Sequence, residues 1–482
     1  MVYETVIGME VHVELQTASK MFCSCPADHF QVAANQHVCP VCTAQPGSLP
    51  VINGRAVELA AMTGMALHCQ VRPRSVFARK NYVYPDLPKG YQISQYELPL
   101  CEDGWVEIDV GKGAKRVGIV RVHLEEDTGK LQHEGASSLV DYNRAGVPLM
   151  EIVTDSSLRS ADEAFAYVQK IRQLVRYLGA STGDMEKGAM RCEANISIRP
   201  VGATAYGTKV EVKNLNSFRS VRSAIEYEVR RQAEVLGEGG QVRQVTMGWD
   251  EAAGCTREQR SKEYADDYRY FPEPDLLDVR LEDEWIETRR QALPELPEAR
   301  AARFSSQFGL GAQDAALLAD DRELAEYYEA VVRAGADARQ AGNWMSGEVF
   351  RLLKEGDAAI ADVQVRPAEL AELIGLVQDG TISQTAAKEV LATLWAEGGS
   401  PEALVEARGL RQISDTSELE AAVDRAIADN PDAAAKVRAG DTKPIQFLMG
   451  QVMRASRGKA NPQLVQQLLR DKLSPRHAPP SG

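Results

Sequence analysis

The feature that most constrains the fold is a regular alternation of apolar and polar residues in the first part of the chain. Such alternation is typical of strands that bury one face, as in antiparallel sheets. One clear helix lies among these strands, with a capping box at residues 160–163 and Gly179 at its end. The sequence therefore predicts an α+β fold rather than repeated βαβ units. The alternating segments are residues 3–15, 122–127, 191–199 and 209–213.

The second part of the chain is predicted to be helical. After two proline-rich stretches, at residues 271–275 and 293–297, strand signals fade and apolar residues recur at helical spacing. Asn461-Pro462 supplies an N-cap followed by proline at the first helical position, which begins the last helix. We place domain boundaries near residues 290 and 400, and we expect residues 476–482 to be disordered.

The polar faces of the predicted strands carry many carboxylates. Such groups are unfavourable when buried without cations, whereas carboxylates that converge on one point suit Mg²⁺, which bridges nucleotide phosphates. Histidine is a less usual ligand of magnesium, so His12 would alternatively orient a metal-bound water. An exposed face covered by surface ion pairs is the other interpretation, and spacing alone leaves both open. The candidates are Glu10, His12, Glu125, Glu126, Glu151 and Glu193.

Four of the eight cysteines form a cluster of two close pairs, Cys23 with Cys25 and Cys39 with Cys42. Two such pairs separated by a short loop can surround one Zn²⁺ tetrahedrally, since thiolates favour zinc over magnesium. We predict a closed structural zinc site with no open position for chemistry. Four unrelated small buried thiols are the alternative.

Composition limits the possible partners. The chain has 482 residues, enough for two or three domains, and its net charge of −14 argues against a general polyanion binder. Residues 433–482, however, contain nine Lys and Arg and only two acidic residues, which suits contact with nucleic acid at selected places; a solvated helical surface explains this charge equally well. No apolar run approaches the length of a membrane span, and residues 1–4 do not resemble a signal peptide, so we expect a cytoplasmic protein without a membrane partner.

Several common catalytic motifs are absent from the sequence. It contains no Walker loop, no HExxH, no nucleophile-elbow serine, no kinase signature and no glutaminase signature, so the use of ATP requires a fold without a P-loop. The basic and aromatic residues 79–94 could hold phosphates or stack on unpaired bases. A loop with buried tyrosines is the alternative there.

Seven segments, in order and in register, closely resemble the B subunits of the aspartyl/glutamyl-tRNA amidotransferases. The similarity runs from residue 3 to about residue 473 without large gaps. A set of seven motifs is far more specific than any single pattern. The segments are residues 4–14, 79–94, 123–127, 141–153, 190–197, 212–218 and 267–275.

This resemblance implies a fold and a reaction. Residues 1–290 would form a catalytic cradle with an antiparallel sheet like that of glutamine synthetase and guanido kinases, and its zinc-binding loop would span residues 23–42. A helical linking domain (291–400) and a helical, YqeY-like tail domain (401–475) that contacts the tRNA would follow. In this family ATP phosphorylates the side-chain carboxylate of Glu-tRNA(Gln) or Asp-tRNA(Asn), and ammonia then displaces the phosphate.

The resemblance also implies roles for individual residues. It implies a magnesium site made by His12, Glu125 and Glu151. Lys80 and Glu126 resemble a charged gate on the path of ammonia, and Lys89 lies in the same motif as Lys80. The residues expected to act in catalysis are therefore Glu125, Glu126, Lys80 and Lys89, and those expected to bind the ATP cofactor are Glu10, Glu193 and Lys213. The zinc set Cys23, Cys25, Cys39 and Cys42 resembles that of some members only.

Partners follow from the same resemblance. An amidase-type A subunit would supply ammonia, a small C subunit would complete a heterotrimer, and the substrate would be misacylated tRNA(Gln) or tRNA(Asn). A related archaeal subunit acts on Glu-tRNA(Gln) only and carries an inserted domain that is not evident in this chain. A zinc-stapled tRNA-binding scaffold would explain the cysteines and the basic end, but not Glu10, His12, Glu125 and Glu151. The sequence does not choose between the two tRNAs.

Overall fold

The alternating segments lie side by side in one large sheet. The structure, a computed structural model, describes residues 2–111, 113–135, 137–261, 265–412, 416–456 and 459–473. The chain divides into two compact units, Met1–Leu296 and Pro297–Gly482. In chain order the strands are β1 (Tyr3–Glu14), β2 (Gln70–Val71), β3 (Arg74–Ser75), β4 (Ala78–Asn81), β5 (Tyr91–Ser94), β6 (Cys101–Asp109), β7 (Ala114–Glu126), β8 (Lys130–Glu134), β9 (Ser137–Asp141), β10 (Pro148–Thr154), β11 (Met190–Pro200), β12 (Val210–Leu215), β13 (Val245–Asp250), β14 (Cys255–Ser261), β15 (Phe271–Pro272) and β16 (Val279–Arg280).

The large sheet has the order β14-β13-β12-β11-β1-β10-β7-β6-β2 among the described residues. Its neighbouring strands are antiparallel except β12 and β13, which are parallel. The register places Glu10 opposite Glu193 of β11 and His12 opposite Glu151 of β10. Glu151 in turn lies opposite His123 of β7. Because side chains alternate along each strand, this register collects the acidic residues on one face.

The opposite face of the sheet is the core of the first unit. Apolar residues of β1 such as Met9 and Val11 are buried there beneath helices α1 (Gly54–Ala66), α2 (Ala161–Tyr177) and α3 (Phe218–Gly237), while α4 (Asp283–Gln291) packs on α1. The hydroxyl of Ser160 accepts a hydrogen bond from the backbone N–H of Glu163, which is one half of the predicted capping box, and the Glu163 carboxylate accepts from the backbone N–H of Arg159. Burying each large aliphatic side chain contributes roughly 1.5–3 kcal/mol, so this face holds the sheet in place.

A small sheet of β15, β4 and β5 lies next to the end of β7. Two side chains of β5 reach back to the large sheet: Ser94 Oγ donates to Glu125 Oε1 at 2.7 Å, and Gln92 Nε2 donates to Glu125 Oε2 at 3.3 Å. The predicted basic and aromatic stretch, residues 79–94, therefore contributes two strands that close over the acidic face. Smaller pairs are formed by β16 with β3 and by β8 with β9.

The second unit is helical throughout the residues that the structure describes. Its first apolar cluster surrounds Phe304, Tyr328 and Leu370, and its second surrounds Leu448 and Val465. The helices are α5 (Pro297–Phe308), α6 (Ala312–Leu318), α7 (Arg322–Arg333), α8 (Ala338–Trp344), α9 (Phe350–Gly356), α10 (Pro367–Gln378), α11 (Gln384–Glu397), α12 (Pro401–Ala407), α13 (Thr416–Asp429), α14 (Pro431–Arg438), α15 (Pro444–Ala455) and α16 (Pro462–Leu473). A π-helical turn, Met345–Val349, joins α8 to α9, and short 3₁₀ turns occur at Ala265–Tyr268 and Ile360–Asp362.

The predicted α+β class, with a large sheet followed by many helices, is confirmed. The likeness to the sheet of glutamine synthetase and guanido kinases stays a prediction, as do the boundaries near residues 290 and 400. The predicted disorder of residues 476–482 concerns positions outside the described part of the chain. Within the described ranges, no helix is both long and apolar enough to cross a membrane.

Candidate active site and cysteine cluster

A cavity of about 490 Å³ lies on the acidic face of the large sheet. Since β1, β7, β10, β11 and β12 are near neighbours in the sheet, each contributes polar side chains to the same space. The structure thus brings together most of the predicted site residues, whereas Lys89 and Glu126 line a separate cavity of about 260 Å³. Those that line the larger cavity are Glu10, His12, Lys80, Glu125, Glu151, Glu193 and Lys213.

His12, Glu125 and Glu151 converge, as the predicted magnesium site requires. His12 Nε2 lies 3.5 Å from Glu151 Oε2 and 3.8 Å from Glu125 Oε2, and the ligand atoms of all three residues fall within 4.8 Å of one another. Two carboxylates and one imidazole within that distance can surround a divalent cation, and oxygen ligands favour Mg²⁺. The donor set therefore fits the metal, and these three residues would hold it.

His123 also belongs to this group, although it was not among the predicted ligands. It is buried, and its Nε2 lies 3.1 Å from Glu151 Oε2 and 3.4 Å from Glu125 Oε1. Among the described residues, its Nδ1 is buried without a hydrogen-bond partner. The alternation of β7 already puts His123 on the same face as Glu125, so the sequence contained the signal for it.

The pKa values of this group are determined by its charged side chains, which are buried and lie close together. Burial alone would lower the pKa of His12, but Glu151, Glu193 and Glu125 outweigh burial and raise that pKa to about 9. Burial and Glu151 would raise the pKa of Glu125, yet His123 and Lys80 lower it to about 2. Without a metal, the carboxylates of Glu125 and Glu151 are therefore ionised at neutral pH and balanced by the imidazolium of His12 and the ammonium of Lys80, and a metal bound at His12 would displace the imidazolium proton.

A second acidic group adjoins the first and consists of Glu10, Glu193 and Glu211, whose ligand atoms also lie within 4.8 Å of one another. Burial raises the pKa of Glu10, and the charges of Glu151 and Glu193 raise it further. Lys213 Nζ is 2.7 Å from Glu193 Oε2, so one cation already balances part of this charge. Glu211 was not predicted as a site residue, although it shares the polar face of β12 with the predicted Lys213, and the pairing of β12 with β11 brings it here.

Lys80 and Glu126, the predicted gate residues, line different cavities. Burial would lower the pKa of Lys80, but the nearby Glu125 outweighs it and raises the pKa, and Lys80 Nζ lies 5.1 Å from the ring centre of Tyr268. Glu126 instead pairs with Lys89, whose Nζ is 2.6 Å from Glu126 Oε1. The gate stays a prediction, and the structure adds that Glu125 and Glu126, adjacent on β7, face the two cavities separately.

The four clustered cysteines converge in the loop after β1. Their Sγ atoms lie within 4.8 Å of one another, and the Sγ atoms of Cys39 and Cys42 are 3.8 Å apart. Four sulfurs placed tetrahedrally, at Zn–S distances of about 2.3 Å, are about 3.8 Å apart, so the cluster is compatible with zinc. A hydrogen bond from Cys23, helped by the charge of Lys20, lowers the pKa of Cys42 to about 4.

Lys20 connects this cluster to the rest of the first unit. The side chain is fully buried, and its Nζ lies 3.7 Å from Cys42 Sγ while it donates to the carbonyl oxygens of His37 and Tyr142 at 2.7 and 3.2 Å. A buried ammonium is unfavourable without such partners. Its position beside the sulfurs offsets part of the negative charge that a tetrathiolate site carries.

Comparisons with known proteins place this chain among named relatives. The family described as the GatB/GatE catalytic domain matches residues 5–287, and the family described as the GatB domain matches residues 326–473. The B subunit of the aspartyl/glutamyl-tRNA(Asn/Gln) amidotransferase from Syntrophotalea carbinolica is 50% identical over 473 residues, which cover 98% of this chain and 99% of the relative. The proteins of the same name from Geobacter sulfurreducens and Thermomicrobium roseum are 51% and 53% identical, each over 98% of this chain and 99% of the relative.

Proposed function

The chain belongs to the family of aspartyl/glutamyl-tRNA(Asn/Gln) amidotransferase B subunits, and from this premise we propose that it activates a misacylated tRNA with ATP for amidation. The activated group is the side-chain carboxylate of Glu-tRNA(Gln), Asp-tRNA(Asn) or both. The enzyme is an ATP-dependent carbon–nitrogen ligase with glutamine as the amido donor. The products are Gln-tRNA(Gln) and Asn-tRNA(Asn), and we place the reaction in the cytoplasm.

The observation that carries the proposal is the presence of two acidic groups in one cavity, His12 with Glu125 and Glu151, and Glu10 with Glu193 and Glu211. Transfer of a phosphoryl group between anions needs cations where negative charge accumulates. A bound Mg²⁺ would supply positive charge to the phosphates at the first group. Glu10, Glu193 and Lys213 would bind the nucleotide on the side of the second group.

The chemistry then requires two displacements. A carboxylate oxygen of the aminoacyl group attacks the γ-phosphorus of ATP, ADP leaves, and an acyl phosphate results; ammonia next attacks the acyl carbon, and phosphate leaves. The ammonium of Lys80 beside Glu125 adds positive charge where the acyl phosphate forms. Glu125, Glu151 and His123 are all buried, which strengthens the electrostatic interactions among them at the floor of the cavity.

The remaining parts of the molecule receive supporting roles in this proposal. An amidase-type A subunit releases ammonia from glutamine, a small C subunit stabilises the heterotrimer, and Lys80, Lys89 and Glu126 control the passage of ammonia toward the larger cavity. Residues 1–290 form the catalytic domain, and residues 291–400 form a linking domain between it and the tail domain. Residues 401–475 form the tail domain, which binds the body of the tRNA through its basic end. The cysteine cluster binds a structural zinc.

The test uses the purified chain together with its A and C subunits, ATP, Mg²⁺ and glutamine, with each misacylated tRNA in a separate reaction. We expect amidated tRNA to form with glutamine or with free ammonium, and one ADP to appear for each amide. Omission of ATP should stop the reaction with both nitrogen sources. Amidation that proceeds without ATP, or ADP release that is independent of misacylated tRNA, would contradict the proposal.

A further inference from the structure

Four tyrosines form one wall of the larger cavity. The rings of Tyr96 and Tyr270 stack with their centres 4.2 Å apart and an angle of 5° between their planes. Tyr268 contacts Tyr270 edge to face at 6.0 Å, and Tyr82 contacts Tyr268 in the same manner at 6.1 Å. All four rings line the cavity that holds the acidic groups. They form a continuous aromatic surface on the side of the cavity that β4 and β5 close.

The stacked pair also borders a second space. A groove of about 360 Å³ lies beside the cavity, and Tyr96 and Tyr270 line both. Apolar groups such as Phe271 and Leu98 line the groove, and the charged side chains of Arg74, Glu97 and Asp278 also border it. Its rim is open: Tyr96 keeps 36% of its surface exposed and Phe271 keeps 44%. A partly apolar groove beside stacked rings suits a flat aromatic ligand with polar edges, such as a nucleobase.

Arg121 provides a cation at the same place. It lies on β7, on the same face as His123 and Glu125, and its guanidinium carbon is 5.7 Å from the ring centre of Tyr96. Within the part of the chain that the structure describes, Arg121 makes no hydrogen bond or ion pair, and its Nε is buried. Arg191, another arginine of the cavity, is by contrast bound to Asp127. An arginine left without a carboxylate in so acidic a cavity is available to an anionic ligand.

We propose that Tyr96, Tyr270 and Arg121 form the subsite for the 3′-terminal nucleotide of the aminoacyl-tRNA. The terminal base stacks on the tyrosines at the mouth of the groove, and its phosphate binds Arg121. The aminoacyl group attached to that nucleotide then extends into the cavity toward Glu125 and Lys80. This inference rests on the proposed function and deepens it, because it says how the substrate end is held.

The layout of the sheet assigns this subsite to the tRNA rather than to ATP. In-line transfer places the donor and the acceptor on opposite sides of the phosphoryl group. The second acidic group lies on β1, β11 and β12, whereas Arg121 lies on β7, on the other side of His12 and Glu151. A separate groove of about 510 Å³ lies beside Glu10 and Lys209, on the side of the second acidic group, and it leaves room there for the nucleoside of ATP.

The experiment uses a tRNA in which 2-aminopurine replaces the terminal adenine, since stacking quenches the fluorescence of that base. The fluorescence should be quenched when the wild-type chain in its complex binds this tRNA, and the quenching should persist with saturating ATP. Tyr96→Ala should remove most of the quenching, whereas Tyr96→Phe, which keeps the ring, should retain it. Quenching that is unchanged in Tyr96→Ala, or that ATP abolishes in competition, would overturn the proposal.

Kinetics supply the second measurement. In the complete complex, Arg121→Gln should raise KM for the aminoacyl-tRNA about tenfold, which corresponds to about 1.4 kcal/mol, while KM for ATP changes less than about twofold. Arg121→Lys should recover part of the loss. A rise confined to KM for ATP would assign Arg121 to the nucleotide and overturn the inference. Quenching that depends on Tyr96 in a complex with no ATP-dependent amidation would contradict the proposed function while leaving the subsite intact.

Discussion

The two candidate metal groups of the first unit are built in opposite ways. His12, Glu125 and Glu151 lie on three neighbouring strands, whose backbone hydrogen bonds fix the spacing of these side chains. The cysteine cluster lies in the loop between β1 and α1, where the bridge between Ser19 and Pro26 is the strand-type pairing that the structure records. The first group is therefore held by the sheet, and the second is held by turns and by hydrogen bonds between its loop and residues 140–146.

Because of this difference, we expect a metal to serve activity at the first group and stability at the second. Around the carboxylates, His12 and Lys80 already supply positive charge, so the sheet does not depend on a metal to remain folded. Around the sulfurs, Lys20 supplies the positive charge, and a zinc would add covalent cross-links to the hydrogen bonds that already hold the loop. Loss of metal at the first group should thus remove activity, whereas loss at the second should loosen the fold.

The largest effect is expected for Glu125→Gln. Loss of this carboxylate removes a ligand of the magnesium ion whose positive charge would stabilise phosphoryl transfer. Amidation should therefore fall at least ~100-fold. The melting temperature should fall moderately: a glutamine can keep the hydrogen bond that Ser94 Oγ donates, but it no longer balances the charges of Lys80 and His123. Steady-state amidation and thermal unfolding measure the two quantities, and the exposed Glu134→Gln on β8 is the matched control.

Free ammonia distinguishes this defect from a blocked passage. Ammonia should not rescue Glu125→Gln, because activation precedes amination. It should rescue Lys80→Ala only in part, because Lys80 has a role in activation as well as on the path of ammonia. Near wild-type amidation by Glu125→Gln would show that the acidic face is structural and that the comparison between the two groups is wrong.

Removal of zinc should have the next largest effect, which is a loss of thermal stability. If zinc exceeds its dissociation constant about a hundredfold, its loss lowers the free energy of unfolding by about 2.7 kcal/mol and the melting temperature of the first unit by roughly 5 °C. Cys39→Ser should reproduce this loss, and elemental analysis should fall from about one zinc per chain toward none. Cys255→Ser, on β14 and outside the cluster, is the control. If purified wild-type protein contains no zinc and is fully stable, the cysteine cluster does not depend on a metal for its stability.

The sequence predicts the parts of these sites that depend on local patterns, and it does not predict the parts that depend on contacts between distant segments. Alternation along a strand predicts that Glu10 and His12 share a face, because that period is a local property of the chain. Spacing predicts the cysteine cluster for the same reason. Strand order and register are set by contacts distant in sequence, so the pairing of β12 with β11 that brings Glu211 beside Glu193 could not be read locally. The separation of Lys80 from Glu126 into two cavities has the same cause.

His123→Asn tests whether the sheet alone positions the carboxylates. The imidazole contacts both Glu125 and Glu151, so its loss should leave their positions less defined and should weaken binding of Mn²⁺, used as a spectroscopic probe, by about tenfold. The melting temperature should fall by less than it does in Cys39→Ser. His133→Asn, at an exposed position of β8, is the matched control. Unchanged Mn²⁺ affinity would show that the backbone register is sufficient.

Lys20→Met should give the smallest of these effects and tests the cysteine cluster through a residue that contacts one of its sulfurs. Methionine fills the buried space but removes the charge beside Cys42 and leaves the carbonyl oxygens of His37 and Tyr142 without this donor. We expect the affinity for zinc, measured by competition with a chelator, to fall by about tenfold, because groups that contact the ligands of a metal commonly contribute that much. Lys130→Met, exposed on β8, should leave it unchanged. Equal affinities in the two variants would mean that the four sulfurs hold the metal without help from the buried ammonium, and that Lys20 serves the packing of the loop alone.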